Sequence, residues 1–240
     1  MTGTVCAALV ALLTACGTSD PDAGTNGVGK LAAEQIEERA RAAAEDARTV
    51  RLSGTLVSDD RTYRLDMRLT PEGGVGEVAA RGGTRFELLR VAEELYLKAD
   101  AAFWAHQEHT GEEPTEADRE AAGKLDGKYV KVPPEDPSYR QFSAFTQMDV
   151  LLDLVLAMNG ERATGERGEV DGVRTVRVTA DGGRGGVMDV SLAGTPYPLR
   201  LERAGDAGTV TLSNWNTRFA LRAPEEEQVV DYGQEIFAEE

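Results

Sequence analysis

The sequence predicts an α+β fold built on antiparallel strands, and three observations predict it. Apolar and polar residues alternate with period 2 in two separate blocks, one from Val50 to Lys98 and one from Met188 to Leu221. Two longer segments, Lys30–Arg48 and Ser143–Asn159, instead repeat their apolar residues at helical spacing. Short turns bearing Gly, Asp or Pro join the alternating runs, which is the pattern of meanders. The 240 residues suit one domain with a sizeable core and do not demand two.

The N-terminus is read apart from the fold. Val5–Ala15 is an apolar run of eleven residues, too short to span a bilayer, which takes roughly 20. At the start of a chain it reads as a secretory signal core. Its end, Leu13-Thr14-Ala15-Cys16, resembles the lipobox of bacterial lipoproteins, which implies cleavage before Cys16 and a lipid on its thiol. The alternative is a buried N-terminal helix with an incidental cysteine, and Met1–Ala15 carries no Lys or Arg. Of the 2 cysteines, Cys6 leaves with the signal, so an internal disulfide and a multi-cysteine metal site are excluded. Gly17–Gly29 is rich in Gly, Thr, Asp and Asn and has no apolar period, so a flexible tether spanning about 20 Å is expected. The expected organisation is a signal peptide over 1–15, a tether over 16–29 after the lipidated cysteine, and a single domain over 30–240.

Lys30–Arg48 is a predicted helix with Ala33, Ile36, Ala40, Ala43 and Ala47 on one stripe. A face of alanines lets a helix approach a sheet closely. Val50, Leu52 and Leu56 then alternate with Arg51, Ser53 and Thr55, and Tyr63, Leu65, Met67 and Leu69 with Arg64, Asp66 and Arg68. That is an antiparallel pair with one apolar and one charged face, turned at Asp59-Asp60. Gly76–Ala80, Thr84–Val91 and Leu95–Lys98 continue the meander through turns at Pro71–Gly74 and Arg81–Gly83. Ala101–Trp104 is a short helical piece, and Pro114–Ala122 a surface helix within an acidic stretch. Tyr129–Val132 returns as a strand. Ser143–Asn159 is the second substantial helix, with Ser143 as N-cap and Asn159-Gly160 as its stop. Asp171-Gly172 marks a hairpin. Val187–Leu192, then Tyr197, Leu199 and Leu201, then Val210 and Leu212, then Phe219 and Leu221 complete a second meander, and Val229-Val230 is a single apolar return in an acidic tail.

Composition excludes several functions. A net charge of −16 argues against nucleic acid and against electrostatic adhesion to anionic lipid, so membrane attachment falls to acyl chains. The 2 histidines, His106 and His109, lie in an acidic segment without a third ligand, which leaves a solvated loop as the better reading than a metal site. No Gly-x-Ser-x-Gly elbow is present. Gly182–Gly186 precedes a strand and not a helix, so it is a hairpin loop and not a phosphate loop. No pair of carboxylates stands out, and neither an enzyme nor a cofactor is expected.

The order of parts resembles the LppX/LprA/LprF/LprG family of actinobacterial lipoproteins. The resemblance lies in the lipobox, the Ala-rich helix, Leu95-Tyr96-Leu97-Lys98 before Phe103-Trp104, the central helix, Asp171-Gly172, and Gly194-Thr195-Pro196-Tyr197-Pro198-Leu199-Arg200 between two strands. It implies a strongly curved antiparallel half-barrel, related to the LolA/LolB carriers, with helices on its concave face. It also implies an apolar cavity between sheet and helices that accepts acyl chains of a lipid or lipoglycan. The protein would then be lipid-anchored at the extracytoplasmic face of the cell membrane. The cavity floor would be Leu52, Leu56, Tyr63, Leu65, Met67, Leu69 and Phe86, and its roof Phe145, Met148, Leu152 and Val155. Met67, Met148, Met158, Leu151 and Leu152 make such a lining adaptable. The competing function is a sensor or interaction lipoprotein of the same fold, packed solid, that binds a membrane-protein partner. Fold alone does not separate the two.

Overall fold

The two alternating blocks fold as two meanders. The computed structural model describes residues 22–58, 61–80, 85–107 and 113–231. The first meander is β1 (Val50–Ser58), β2 (Arg61–Thr70), β3 (Gly73–Ala80), β4 (Arg85–Val91), β5 (Glu94–Ala99) and β6 (Tyr129–Val132). The second is β7 (Arg162–Val170), β8 (Val173–Ala180), β9 (Val187–Ser191), β10 (Pro198–Glu202) and β11 (Thr209–Ser213). Pairing of β1 with β11 splices them into one open sheet. The apolar return at Val229-Val230 becomes β12 (Val229–Asp231), which lies parallel on β6. Among the described residues the strand order is β12-β6-β5-β4-β3-β2-β1-β11-β10-β9-β8-β7.

Alternation sorts the two faces of this sheet. Leu52, Leu65, Met67, Val78, Leu88, Leu97 and Val130 point to one side, and Val176, Met188, Leu201 and Val210 carry that side through the second meander. Residues from both ends of the sheet belong to one core cluster with all five helices described below. Twelve strands laid flat would span about 50 Å, so a shared core demands a curved sheet. Glycine permits the bend. At Gly54 (φ 147°) an added Cβ would overlap the Thr209 carbonyl oxygen and stand 2.9 Å from Val210 Cα, so β11 closes onto the inner face there. The architecture is the expected α+β half-barrel with helices on its concave side.

Five helices cover that side: α1 (Ala33–Glu45), α2 (Ala101–Gln107), α3 (Glu116–Leu125), α4 (Pro137–Ala144) and α5 (Met148–Leu156). The buried face of α1 is Ala33, Ile36, Ala40 and Ala44, with Ala43 only half-buried; its small side chains let the backbone come close to β7, β8, β9 and β10. α3 begins at a capping box, with Thr115 Oγ1 accepting from the Asp118 N–H.

Four expectations are corrected. The helix expected over Ser143–Asn159 is two helices, and Ser143 lies inside α4 instead of capping a start. The break at Phe145–Gln147 follows from Thr146. Its hydroxyl donates back to the Ser143 carbonyl at 2.7 Å, and Arg90 Nη2 donates to its carbonyl at 3.1 Å. α4 itself starts where Asp136 caps the Ser138 N–H at 2.8 Å ahead of Pro137, a signal readable in the sequence. Phe219 and Leu221 form no strand, because Asn214 (φ 53°) and Asn216 (φ 56°) turn the chain out of the sheet after β11.

The fourth correction concerns the tether. Residues 22–29 are docked. Asp22 accepts from Arg167 Nε at 3.1 Å and Nη2 at 2.8 Å, and Asn26 donates to the Ser191 and Gly194 carbonyls at 3.0 Å each. The cause lies on the edge strand β7, which turns Arg162 and Arg167 toward the helix side, where each needs a counter-charge. Inward charges of this kind also discourage edge-to-edge pairing.

Candidate functional site

The residues expected to line a ligand site lie in the apolar layer between β1–β5 and the helices above them. Tyr63, Leu65, Met67 and Leu69 fall on one face of β2 because they sit two apart, and register places Leu52 opposite Met67 and Leu56 opposite Tyr63. Phe86 joins the same face from β4. Above them Met148, Leu152 and Val155 share the buried face of α5, and Phe145 ends α4. The structure brings these floor and roof residues into one cluster, with the Tyr63 and Phe145 rings 5.4 Å apart at 58°.

The two halves of the layer differ in what fills them. Over β7–β10 the alanines of α1 close the gap. Over β1–β6 the helices stand further off, and large side chains occupy the space between. Phe86 meets Phe103 of α2 at 5.6 Å and Phe142 of α4 edge-on at 5.3 Å. Leu52, Leu56, Met67 and Leu69 have no area open to water (0% each), so the floor is in contact with protein on every side. An alkyl chain enters this layer only if the roof moves.

Two polar groups that sequence reasoning passed over hold the roof. Arg90 occupies an inward position of β4, in step with Phe86 and Leu88. Its Nε donates to Thr146 Oγ1 at 3.0 Å and its Nη1 to the Ala92 carbonyl at 2.6 Å. Burial lowers the pKa of this guanidinium. An arginine at an apolar step of a period-2 strand was the signal that could have found it. At the far end of α5, Arg41 of α1 donates to Glu37 at 3.1 Å and to the Leu156 carbonyl. Arg162 of β7 donates to Glu37 at 3.2 Å and to the Met158 carbonyl at 3.1 Å. Burial alone pushes the Glu37 carboxyl up, but the hydrogen bonds and charges of Arg162 and Arg41 together hold it below its ordinary value. This node ties α1, the end of α5 and the edge strand together.

Cys16 and the signal segment lie outside the described residues, as does His109. Among the described residues no cluster of three or more His, Cys, Asp or Glu could hold a metal, and no helix is long and apolar enough to cross a membrane.

No protein-family model and no curated sequence matches the chain. Solved structures do. The Mycobacterium tuberculosis lipoprotein LppX is 12% identical, with 79% of this chain and 98% of that one covered at a TM-score of 0.45. An uncharacterized conserved protein of Thermus thermophilus is 10% identical, with 83% and 98% covered at a TM-score of 0.35. PNGF-II is 9% identical, with 77% of this chain and 31% of that one covered at a TM-score of 0.22.

Proposed function

We propose that this is an exported lipoprotein, anchored by acyl chains on Cys16 at the extracytoplasmic face of the cell membrane, that binds and carries lipids or lipoglycans. Their acyl chains enter between β1–β5 and the α4–α5 roof. The observation that supports this is the asymmetry of the layer. One half is closed by alanines, and the other is filled by Tyr63, Phe86, Phe103, Phe142 and Phe145 beneath two short helices with a break between them. Methionines on both sides, Met67 and Met148, repack around a guest at little penalty. Energetics agree, since each buried methylene contributes about 0.8 kcal/mol. Ten of them offset a roof opening of several kcal/mol. The resemblance of the sequence to a carrier family points the same way.

The test is mass spectrometry of organic extracts from the non-acylated protein made in its native host. A stoichiometric amphiphile is expected from the unmodified layer and none from Met148→Trp or Val155→Trp, whose indoles fill it while the melting transition is kept. Clean extracts from the unmodified protein would shift the reading to a partner-binding lipoprotein. The anchor is tested separately, since Cys16→Ser should release the protein from salt-washed membranes.

A further inference from the structure

One end of the sheet carries an arrangement that the acyl layer does not use. On the outer face, Arg51 of β1 lies directly opposite Arg68 of β2. Arg218, in the segment that leaves the sheet after β11, closes a cleft of about 150 Å³ with these two and with Thr49, Asn214 and Thr217. Asp66 takes Arg51 in a two-pronged pair at 2.8 and 2.6 Å. Arg68 and Arg218 are exposed; the charge of Arg68 acts on Asp66 and helps hold that carboxyl below its ordinary value, while Asp66 keeps its two-pronged bond for Arg51. Guanidinium groups directly across two strands repel one another, and in a chain of net charge −16 such a cluster is out of character. A small anion seated between them would relieve the repulsion. The negative charges elsewhere do not oppose it strongly, because screening sets in within about 8 Å at physiological salt. Size narrows the guest. A water takes about 30 Å³, so the cleft admits a tetrahedral oxyanion, and a nucleotide would need a pocket of at least about 300 Å³.

The same end of the sheet receives the chain from Cys16. Asn26 bonds the Ser191 and Gly194 carbonyls, and Tyr197, on the loop between them and β10, stacks on Trp215 at 4.7 Å and 6°. Asn216 donates to the Tyr197 hydroxyl at 2.7 Å, donates its N–H to the Thr49 carbonyl at 3.0 Å and accepts from the Arg48 N–H at 2.7 Å. A continuous set of contacts therefore runs from the docked N-terminal segment to the cleft. Five residues separate Cys16 from Asp22, so the six steps between them reach at most about 20 Å. An anchor at Cys16 would hold this end, and no other, against the bilayer.

We infer that the cleft binds the phosphate of a phospholipid head group beside the anchor and so fixes which end of the protein faces the membrane. The inference rests on the anchored-lipoprotein reading for the source of the phosphate, not for the site. Free phosphate offers the same chemistry, and the experiment separates the two. The full chain carrying Cys16→Ser, which has no acyl anchor, is sedimented with vesicles of phosphatidylcholine with and without phosphatidylglycerol, and is separately titrated with inorganic phosphate. Binding to the phosphatidylglycerol vesicles is expected. Arg68→Gln with Arg218→Gln should lower it about thirtyfold, taking each arginine near an anionic surface at about fivefold. Arg184→Gln, whose exposed side chain pairs with Asp181 at the opposite end of β8, should leave it unchanged. Arg218→Gln alone, outside the sheet, replaces the double variant if that one loses its melting transition. Vesicle binding indifferent to these arginines overturns the inference, and so does failure to bind either probe. Arginine-dependent binding of phosphate without vesicle binding overturns the lipid head group as the source. Since no extraction of bound lipid enters this assay, a failure of the carrier reading would leave its outcome standing.

Discussion

Glu37→Gln should destabilise the protein by about 2 kcal/mol, and the loss should depend on pH. Glu37 is 8% exposed and accepts from Arg41 and Arg162, which in turn reach the Leu156 and Met158 carbonyls at the end of α5. An exposed pair contributes less than about 1 kcal/mol and breaking a buried one costs about 3–5. Arg41 and Arg162 keep side-chain exposures of 30% and 18%, so the node falls between those limits. An amide there keeps the shape, presents N–H groups to one of the two guanidinium donors and removes the counter-charge from both. For a chain of this length each kcal/mol moves the melting temperature by about 2–4 °C, so a fall of about 4–8 °C is expected at neutral pH.

The sign of the pH dependence follows from the folded state. The carboxyl is held below its ordinary 4.5, so its contribution is fully present above that value and is lost as pH falls through the lower folded one. The melting temperatures of the wild type and Glu37→Gln should therefore differ fully at pH 7 and converge as pH drops below 4.5. Scanning calorimetry across that range checks it. A difference that stays constant down to the acid transition, or no difference at neutral pH, refutes the node as an electrostatic tie.

Two other changes probe the sheet and its docked leader. Gly54→Ala drives a methyl into the Thr209 carbonyl at a backbone angle that side chains resist, and a fall of about 3 kcal/mol in urea unfolding is expected. Gly123→Ala, which meets nothing within 4 Å in α3, should be neutral or stabilise by up to about 1 kcal/mol. Asp22→Asn leaves Arg167 without its bidentate carboxylate, and limited proteolysis should then cut between residues 22 and 30 while the core resists. Unchanged cleavage there would mean that the backbone bonds of Asn26 suffice to hold the segment.

The fold was legible where period and turn chemistry agree. Tyr63 to Leu69 alternate cleanly because one side of β2 meets the core and the other meets water, and the alanines of α1 announced a close helix–sheet approach. What stayed hidden depends on partners distant in sequence. Thr146 splits the second long helix because Arg90, 56 residues earlier, takes its carbonyl. Residues 22–29 have the composition of a tether, yet they dock because Arg167, 145 residues on, needs Asp22. Phe219 and Leu221 resemble a strand locally, and the two left-handed asparagines before them decide otherwise. The floor and roof residues lie in one cluster, packed against one another with no open space along Leu52, Leu56, Met67 and Leu69. Period shows which residues face inward but not how far apart two layers stand, so the closed spacing over β7–β10 and the wide one over β1–β6 had to come from coordinates.

On the carrier reading, Arg90 would do more than stabilise. The aromatic contacts of the roof are non-directional and re-form around a guest, whereas the bonds from Arg90 to Thr146 fix the α4–α5 junction in one place. If acyl chains enter beneath the roof, these bonds part first, and they set how often it opens. Arg90→Gln removes two charge-assisted bonds to Thr146 of about 1.5–3 kcal/mol each, partly replaced by water. A net loss of about 2 kcal/mol in local opening free energy raises amide exchange about thirtyfold. Faster exchange is expected across Pro137–Leu156 and not in Ala33–Glu45, which the alanine contacts and the Glu37 node retain. Uptake of a fluorescent fatty acyl probe should accelerate in parallel. Faster exchange spread evenly over both helix groups would make Arg90 an ordinary stabilising residue. Faster exchange in the roof with unchanged uptake would show that lipids enter by another route.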